Sequence, residues 1–289
     1  MIEDAVLTTS RGRRIAFARY GDPDGRPIGY CHGLPSSRLE AALVASTAKR
    51  MKLHLFAADR PGYGRSDPLP PTRIADWPKD LARVADHLGI DRFAVLGVSG
   101  GGPYALACGQ YLGSRIDRIG LVCPLGPVAQ TSLRQSMSPA ARWAFFLASK
   151  APWALPIFFG KPTAYLIHRY PDLAFSLLMR SLPDKDREVL ASPEIREVFR
   201  ATIREGLCHG SAGTLRDFLH YIRPWGVELA SVDLRVTFWH GDVDTVVPLA
   251  HSRHLAERLP RAKLHILPGE GHYSLPVNYA ETILGDFPR

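Results

Sequence analysis

The chain has 289 residues, 46% hydrophobic and 22% charged, a composition that fits an ordinary folded domain and excludes collagen-like, low-complexity and disordered classes. Its 36 Lys and Arg against 28 Asp and Glu leave a net charge of +8. The cations are scattered singly and match no reader motif, so a solvated basic surface is expected and no nucleic-acid partner.

The N-terminal MIEDAVLTTS is acidic and lacks the apolar stretch of a signal peptide. The most apolar run, WAFFLASKAPWALPIFFG, is interrupted by Lys150 and prolines, so no membrane span is expected. Cys31, Cys108, Cys123 and Cys208 lie far apart without metal-ligand spacing. Reduced thiols in a cytoplasmic protein, with no metal, are the expectation.

AVLTTS and RRIAFARYG flank a turn and predict an antiparallel hairpin. There follow the strand PIGYCHG, the helix SRLEAALVASTAKRMK, the strand LHLFAADR and the helix IADWPKDLARVADHLG. FAVLGVS (strand), GGPYALACGQYLG (helix) and RIGLVCP (strand) complete the first part. This alternation demands crossovers and predicts a mostly parallel sheet with helices on both faces. From about Thr131 to Glu228 only helical segments punctuated by proline are recognisable. Strand–helix order resumes with LRVTFWHG, LAHSRHLAERLP and AKLHILPG, and ends in a helix from about Pro276. The natural parse is a core of residues 1–130 and 229–289 with a helical cap, 131–228, over the carboxyl edge of the sheet.

Gly97-Val98-Ser99-Gly100-Gly101 fits G-x-S-x-G at the end of a predicted buried strand and the start of a predicted helix. Such a turn needs small neighbours at Gly97 and Gly101 and projects the hydroxyl outward, leaving amides free at the helix start. A phosphate-binding loop would need Gly-Lys-Ser/Thr where Gly-Pro-Tyr stands, and the dinucleotide fingerprint is absent. The remaining alternative is a purely structural glycine-rich turn. A serine alone is a poor nucleophile, so its base decides the matter.

His272, in the loop after AKLHIL, is the candidate base. His251 and His254 are expected on a helix surface, and His240 precedes the loop that would carry an acid. That loop offers Asp244 and, as the alternative, Asp242, which is expected to stabilise the loop instead. These His and Asp residues lack the spacing of a metal site. A tetrahedral oxyanion needs two amide donors. Gly100 directly follows the serine, and Leu34 lies after PIGYCHG, where Pro35 cannot donate.

CHGLPSS, DRPGYGRSD, GVSGGG, HGDVDTVVP and GEGHYS occur in this order, each at a predicted strand end. Over essentially its whole length the sequence resembles the α/β-hydrolase superfamily, in its helical-cap branch. The resemblance implies a mostly parallel eight-stranded sheet with an inserted all-helical cap, a Ser99–His272–Asp244 triad and no cofactor. Serine at the elbow excludes the dehalogenase and epoxide-hydrolase groups, which use aspartate. The expected reaction is hydrolysis of carboxylic esters of small to medium apolar substrates by a monomer or homodimer. C–C bond hydrolysis, lactone or amide hydrolysis, and iminopeptidase activity use the same triad, and a ligand-binding receptor is the non-enzymatic alternative. Specificity would come from the cap, with Trp143, Phe145, Phe146, Trp153, Phe158, Phe159, Tyr165 and Phe175. Helical packing is expected to account for most of these aromatics, with some lining a pocket. The Arg60–Ser66 stretch is expected to be structural.

Overall fold

Phe93–Val98 shows how the sequence builds the frame: six residues, all buried, flanked on both sides by parallel strands and covered on both faces, as an unbroken apolar run requires. In a computed structural model, which describes residues 1–69 and 72–287, this is the central strand, β5, of an eight-stranded sheet. The others are β1 (Glu3–Thr8), β2 (Arg14–Gly21), β3 (Arg26–Cys31), β4 (Leu53–Ala58), β6 (Ile116–Val122), β7 (Val236–Gly241) and β8 (Ala262–Leu267). Their spatial order is β1-β2-β4-β3-β5-β6-β7-β8. β1 and β2 form the expected hairpin, β2 pairs antiparallel with β4, and the remaining pairs are parallel.

The connections depart from the predicted bounds in ways local chemistry explains. The expected helix over 37–52 is a 3-10 segment, Arg38–Val44, opened by the Ser37 side chain and followed by α1 (Ala45–Arg50). The helix expected from Ile74 starts as one 3-10 turn, because Pro78 fixes the first position of α2 (Pro78–His87). α3 (Gly102–Tyr111) follows β5 and is buried along almost its whole length. The C-terminal helix divides into α12 (Ser274–Asn278) and α13 (Ala280–Gly285), while α11 (Ala250–Ala256) lies between β7 and β8.

Between β6 and β7 the described residues contain no strand. The insertion comprises α4 (Thr131–Ser136), α5 (Pro139–Lys150), one π-helical turn (Pro156–Gly160), α6 (Lys161–Arg169), α7 (Pro171–Arg180), α8 (Asp184–Ala191), α9 (Pro193–Gly206) and α10 (Ala212–Tyr221). Prolines that looked like interruptions stand in the first turn of α5, α6, α7 and α9, where no N–H partner is lost.

The sheet order reverses at β3 and β5, which are adjacent although β4 comes between them in the chain. Their outgoing loops run to opposite faces and open a crevice at the carboxyl edge, where open α/β sheets hold ligands. The loops after β3, β5, β7 and β8, which carry every predicted site residue, all leave from this edge.

Candidate active site

Ser99 takes φ = +53°, a left-handed conformation rare for serine, in passing from β5 into a 3-10 turn (Ser99–Gly101) that leads straight into α3. The flanking glycines are required by close approach. A Cβ on Gly97 would stand 2.7 Å from the Ala105 methyl and 2.9 Å from the Gly101 carbonyl, while one on Gly101 would run into the Cys31 carbonyl. Ser99 is nearly covered, with 9% of its surface exposed, and its hydroxyl forms no hydrogen bond among the described residues. Such looseness is usual before substrate arrives.

Asp244 and His272 leave the neighbouring strands β7 and β8 and meet directly: His272 Nδ1 lies 2.7 Å from Asp244 Oδ2. The other carboxylate oxygen accepts the amides of Val246 and Val247, both at 2.8 Å. His240 stands 3.4 Å from Asp244 Oδ2 and is itself held by Ser252 and the Val247 carbonyl. Burial opposes ionisation of Asp244, but His272 and His240 outweigh it and hold the carboxyl below the usual range. For His272, burial favours the neutral ring, yet the Asp244 charge and hydrogen bond prevail and raise its pKa. Asp242 is exposed and accepts the Gly269 amide at 2.7 Å, a bond that ties two loops together.

The two candidate oxyanion donors belong to neighbouring residues: a Cβ on Gly100 would come within 3.1 Å of the Leu34 Cβ. Each amide belongs to a peptide group whose carbonyl is gripped. Leu125 donates to the Ser99 carbonyl at 2.9 Å, and Arg60 Nη2 donates to the Gly33 carbonyl at 2.8 Å. Because N–H and C=O of a trans peptide point in opposite directions, fixing these oxygens aims the Gly100 and Leu34 amides. Glu40 holds the same loop by accepting the Gly33 amide at 3.0 Å and the Ser36 hydroxyl.

Arg60 is fully buried and pairs with Asp217 of α10 at 2.7 Å. Asp217 also accepts the hydroxyls of Tyr63 (2.8 Å) and Tyr104, and Tyr221 donates to the Gly100 carbonyl at 2.8 Å. The Arg60 guanidinium stands over the rings of Tyr63 and Tyr104. The Arg60–Ser66 stretch is thus structural in a specific sense: it carries a buried cation that joins the loop of His32, Gly33 and Leu34 to the insertion. Asp217 had one readable signal, a carboxylate four residues before Tyr221 on the buried face of an amphipathic helix.

A second buried carboxylate, Asp186 of α8, had none, since it sits in the charged run DKDRE. It accepts three successive amides of the base loop: His272 at 3.0 Å, Tyr273 at 3.0 Å and Ser274 at 2.8 Å. Beside it Lys185 pairs with Glu270 at 2.6 Å.

Two expectations need correction. His251 is buried rather than superficial: its Nδ1 accepts the Gly126 amide at 3.0 Å, Nε2 faces the Leu133 carbonyl at 3.2 Å, and burial lowers its pKa to about 4. His254 is partly exposed. Of the eight singled-out aromatics, five (Trp143, Phe146, Trp153, Phe158 and Tyr165) are exposed, so helical packing explains only a minority. Phe145 is buried against Phe218, and Phe159 packs on the same ring.

Cys123, Asp244 and His272 are the grouping closest to a metal site among the described residues, with ligand atoms within 4.8 Å of one another. The set suits a metal poorly. Nδ1 of His272 is committed to Asp244, and burial raises the Cys123 pKa, keeping it a thiol. Among the described residues no helix is long and apolar enough to cross a membrane.

The profile of the family described as alpha/beta hydrolase fold matches residues 26–279. A non-heme haloperoxidase of Rhodococcus erythropolis is 26% identical, with 97% of this chain and 96% of that protein covered. A proline iminopeptidase of Xylella fastidiosa is 25% identical over 93% of this chain and 90% of its own. Among solved structures, a thermophilic esterase from Thermogutta terrifontis superposes with a TM-score of 0.69 at 20% identity, covering 98% of this chain and 96% of its own.

Proposed function

This chain belongs to the α/β-hydrolase family and is a hydrolase, and on that premise we propose that it cleaves carboxylic esters through Ser99, His272 and Asp244. His272 Nε2 takes the Ser99 hydroxyl proton as Oγ attacks the ester carbonyl carbon. Asp244 keeps the remaining N–H on Nδ1 and stabilises the imidazolium. The carbonyl π electrons move onto oxygen, which the Leu34 and Gly100 amides receive. As the intermediate collapses, His272 returns the proton to the departing alcohol. Water, deprotonated by the same nitrogen, then releases the acid and restores Ser99.

The observation that carries this reading is the 2.7 Å contact between His272 Nδ1 and Asp244 Oδ2, at a sheet edge shared with a left-handed Ser99. The mechanism uses no cofactor. Residues 131–228 would act as a cap on a core of 1–130 and 229–289, selecting small to medium apolar acyl and alcohol groups. The similar proteins carry the names haloperoxidase, iminopeptidase and esterase. Substrate preference therefore has to be measured.

A panel of aryl esters of increasing acyl length, lactones, vinylogous diketones and aminoacyl amides provides the test. Turnover is expected to be fastest on the esters. Faster turnover of the diketones or aminoacyl amides would replace ester hydrolysis by C–C or peptide-bond cleavage. Ligand-induced stabilisation without any turnover would identify a receptor.

A further inference from the structure

The insertion has two unlike halves. Residues 184–221 are fastened to the sheet by buried polar groups: Asp186 on the base loop, Thr202 on Ser36 and Ser37, and Asp217 on Arg60. Residues 139–180 have no such polar anchorage; one face, with Phe145, Leu147 and Leu155, is buried in the core, and many of the remaining apolar side chains face outward. Nine of the fifteen large apolar residues exposed among the described residues fall between 143 and 177, which marks this stretch as the one apolar concentration on the surface.

Trp153 is 72% exposed, and Phe158 and Tyr165 are each 62% exposed. Trp143 stacks on Phe146, and Tyr165 packs edge-on against Tyr170, so the exposed rings cluster rather than scatter. Of the five large apolar side chains of α7 (PDLAFSLLMR), Phe175, Leu178 and Met179 pack half-buried on Leu182 and Phe199, whereas Leu173 and Leu177 are exposed. Single exposed leucines need no explanation, but Leu173 and Leu177 extend the same exposed apolar cluster.

The charge around these rings selects the partner. Arg142, Lys150, Lys161, Arg169 and Arg180 are exposed, and none has a carboxylate partner among the described residues. The one acidic residue between 139 and 180, Asp172, is already paired with Arg200 at 2.6 Å. Five uncancelled cations would repel an identical face, which disfavours a second copy of this chain. Trp, Tyr and Phe interleaved with Lys and Arg match the boundary of an anionic bilayer, where rings sit at headgroup depth and cations meet lipid phosphates.

We propose that the outer half of the insertion, residues 139–180, docks on an anionic lipid surface and lies in its interface without crossing it. The proposal stands independently of the catalytic reading, because among the described residues no hydrogen bond, ion pair or ring contact joins this stretch to Ser99, Asp244 or His272.

Co-sedimentation of the intact protein with vesicles tests this, using phosphatidylcholine alone and phosphatidylcholine with phosphatidylglycerol in equal parts. Binding is expected on the anionic vesicles, with a blue shift of tryptophan emission, and to weaken in high salt. The charge-reversed double variant Lys150→Glu/Lys161→Glu should lose affinity by about tenfold or more. Trp153→Ser/Phe158→Ser should lose the blue shift, with an unchanged far-ultraviolet circular dichroism spectrum and thermal melting curve as evidence of folding. Ser99→Ala should bind like the wild type. Absence of binding, or equal binding to both vesicle types, would overturn the proposal. So would concentration-dependent dimerisation abolished by Trp153→Ser/Phe158→Ser without any vesicle binding, which would make the face a self-association surface.

Discussion

The Asp186 carboxylate, on a helix of the insertion, accepts the backbone amide of His272 at 3.0 Å and those of the next two residues. The loop that carries the proposed base is therefore shaped from the insertion as well as from the sheet. A Cβ on Gly271 would collide with this carboxylate, so glycine there permits the approach.

Replacing Asp186 with Asn keeps the size but puts an NH2 donor where one carboxylate oxygen stood, leaving at least one of the three amides facing another donor. We expect kcat to fall by about 10²-fold through misplacement of the imidazole, with KM little changed. Asp186 also contributes to the raised His272 pKa, so the acid limb of the pH profile should move to lower pH. A loss of thermal stability with unaltered kcat and pH profile would make Asp186 structural only.

Arg60 tests the aim of the oxyanion amide. Arg60→Lys retains the charge opposite Asp217 but cannot grip His32, Gly33 and Asp217 together. Turnover should drop more than affinity if the Leu34 amide acts on the transition state as proposed. Arg60→Leu should instead cost stability, about 3–5 kcal/mol, because it strands the Asp217 charge in the interior. Equilibrium denaturation of both variants separates the two effects. Equal kcat in Arg60→Lys and wild type would remove Arg60 from the account.

The raised pKa of His272 sets the pH dependence. As the proposed base, His272 must be neutral, so kcat/KM should rise with pH and inflect above about 6.5, the unperturbed value for histidine. The same shift means that the imidazolium stabilises the fold below the unfolded pKa, and this contribution is lost as pH rises through the folded pKa. Asp244 works oppositely: its lowered pKa contributes stability above the unfolded value, lost only as pH falls through the folded one. Asp244→Asn should lower kcat by orders of magnitude, roughly 10⁴-fold in comparable triads, whereas Asp242→Asn should leave it nearly unchanged. Steady-state pH profiles of the three proteins decide it; a larger loss in Asp242→Asn would reverse the acid assignment.

The sheet was legible because its central strands are unbroken apolar runs, its edge strands β1 and β8 alternate, and its glycines mark the turns. The candidate site was legible for the same reason: Ser99, Asp244, His272 and Leu34 each sit a few residues beyond a recognisable strand. Asp186 and Asp217 were not, because a charged side chain on a helix reads as solvated until its partner is known. Those partners lie 86 and 157 residues away. His251 was misread likewise, since its burial comes from Gly126 and Leu133, far earlier in the chain. The insertion's aromatics failed differently: helical periodicity signals an apolar face but not whether anything covers it.

Labelling with a fluorophosphonate probe tests the central claim most directly, because only an activated serine forms the phosphonyl ester. Stoichiometric, time-dependent labelling of the wild type is predicted, with the adduct mapped by peptide mass to Ser99, and none of Ser99→Ala. Failure to label the folded wild type, or equal labelling of Ser99→Ala, would contradict Ser99 as the nucleophile.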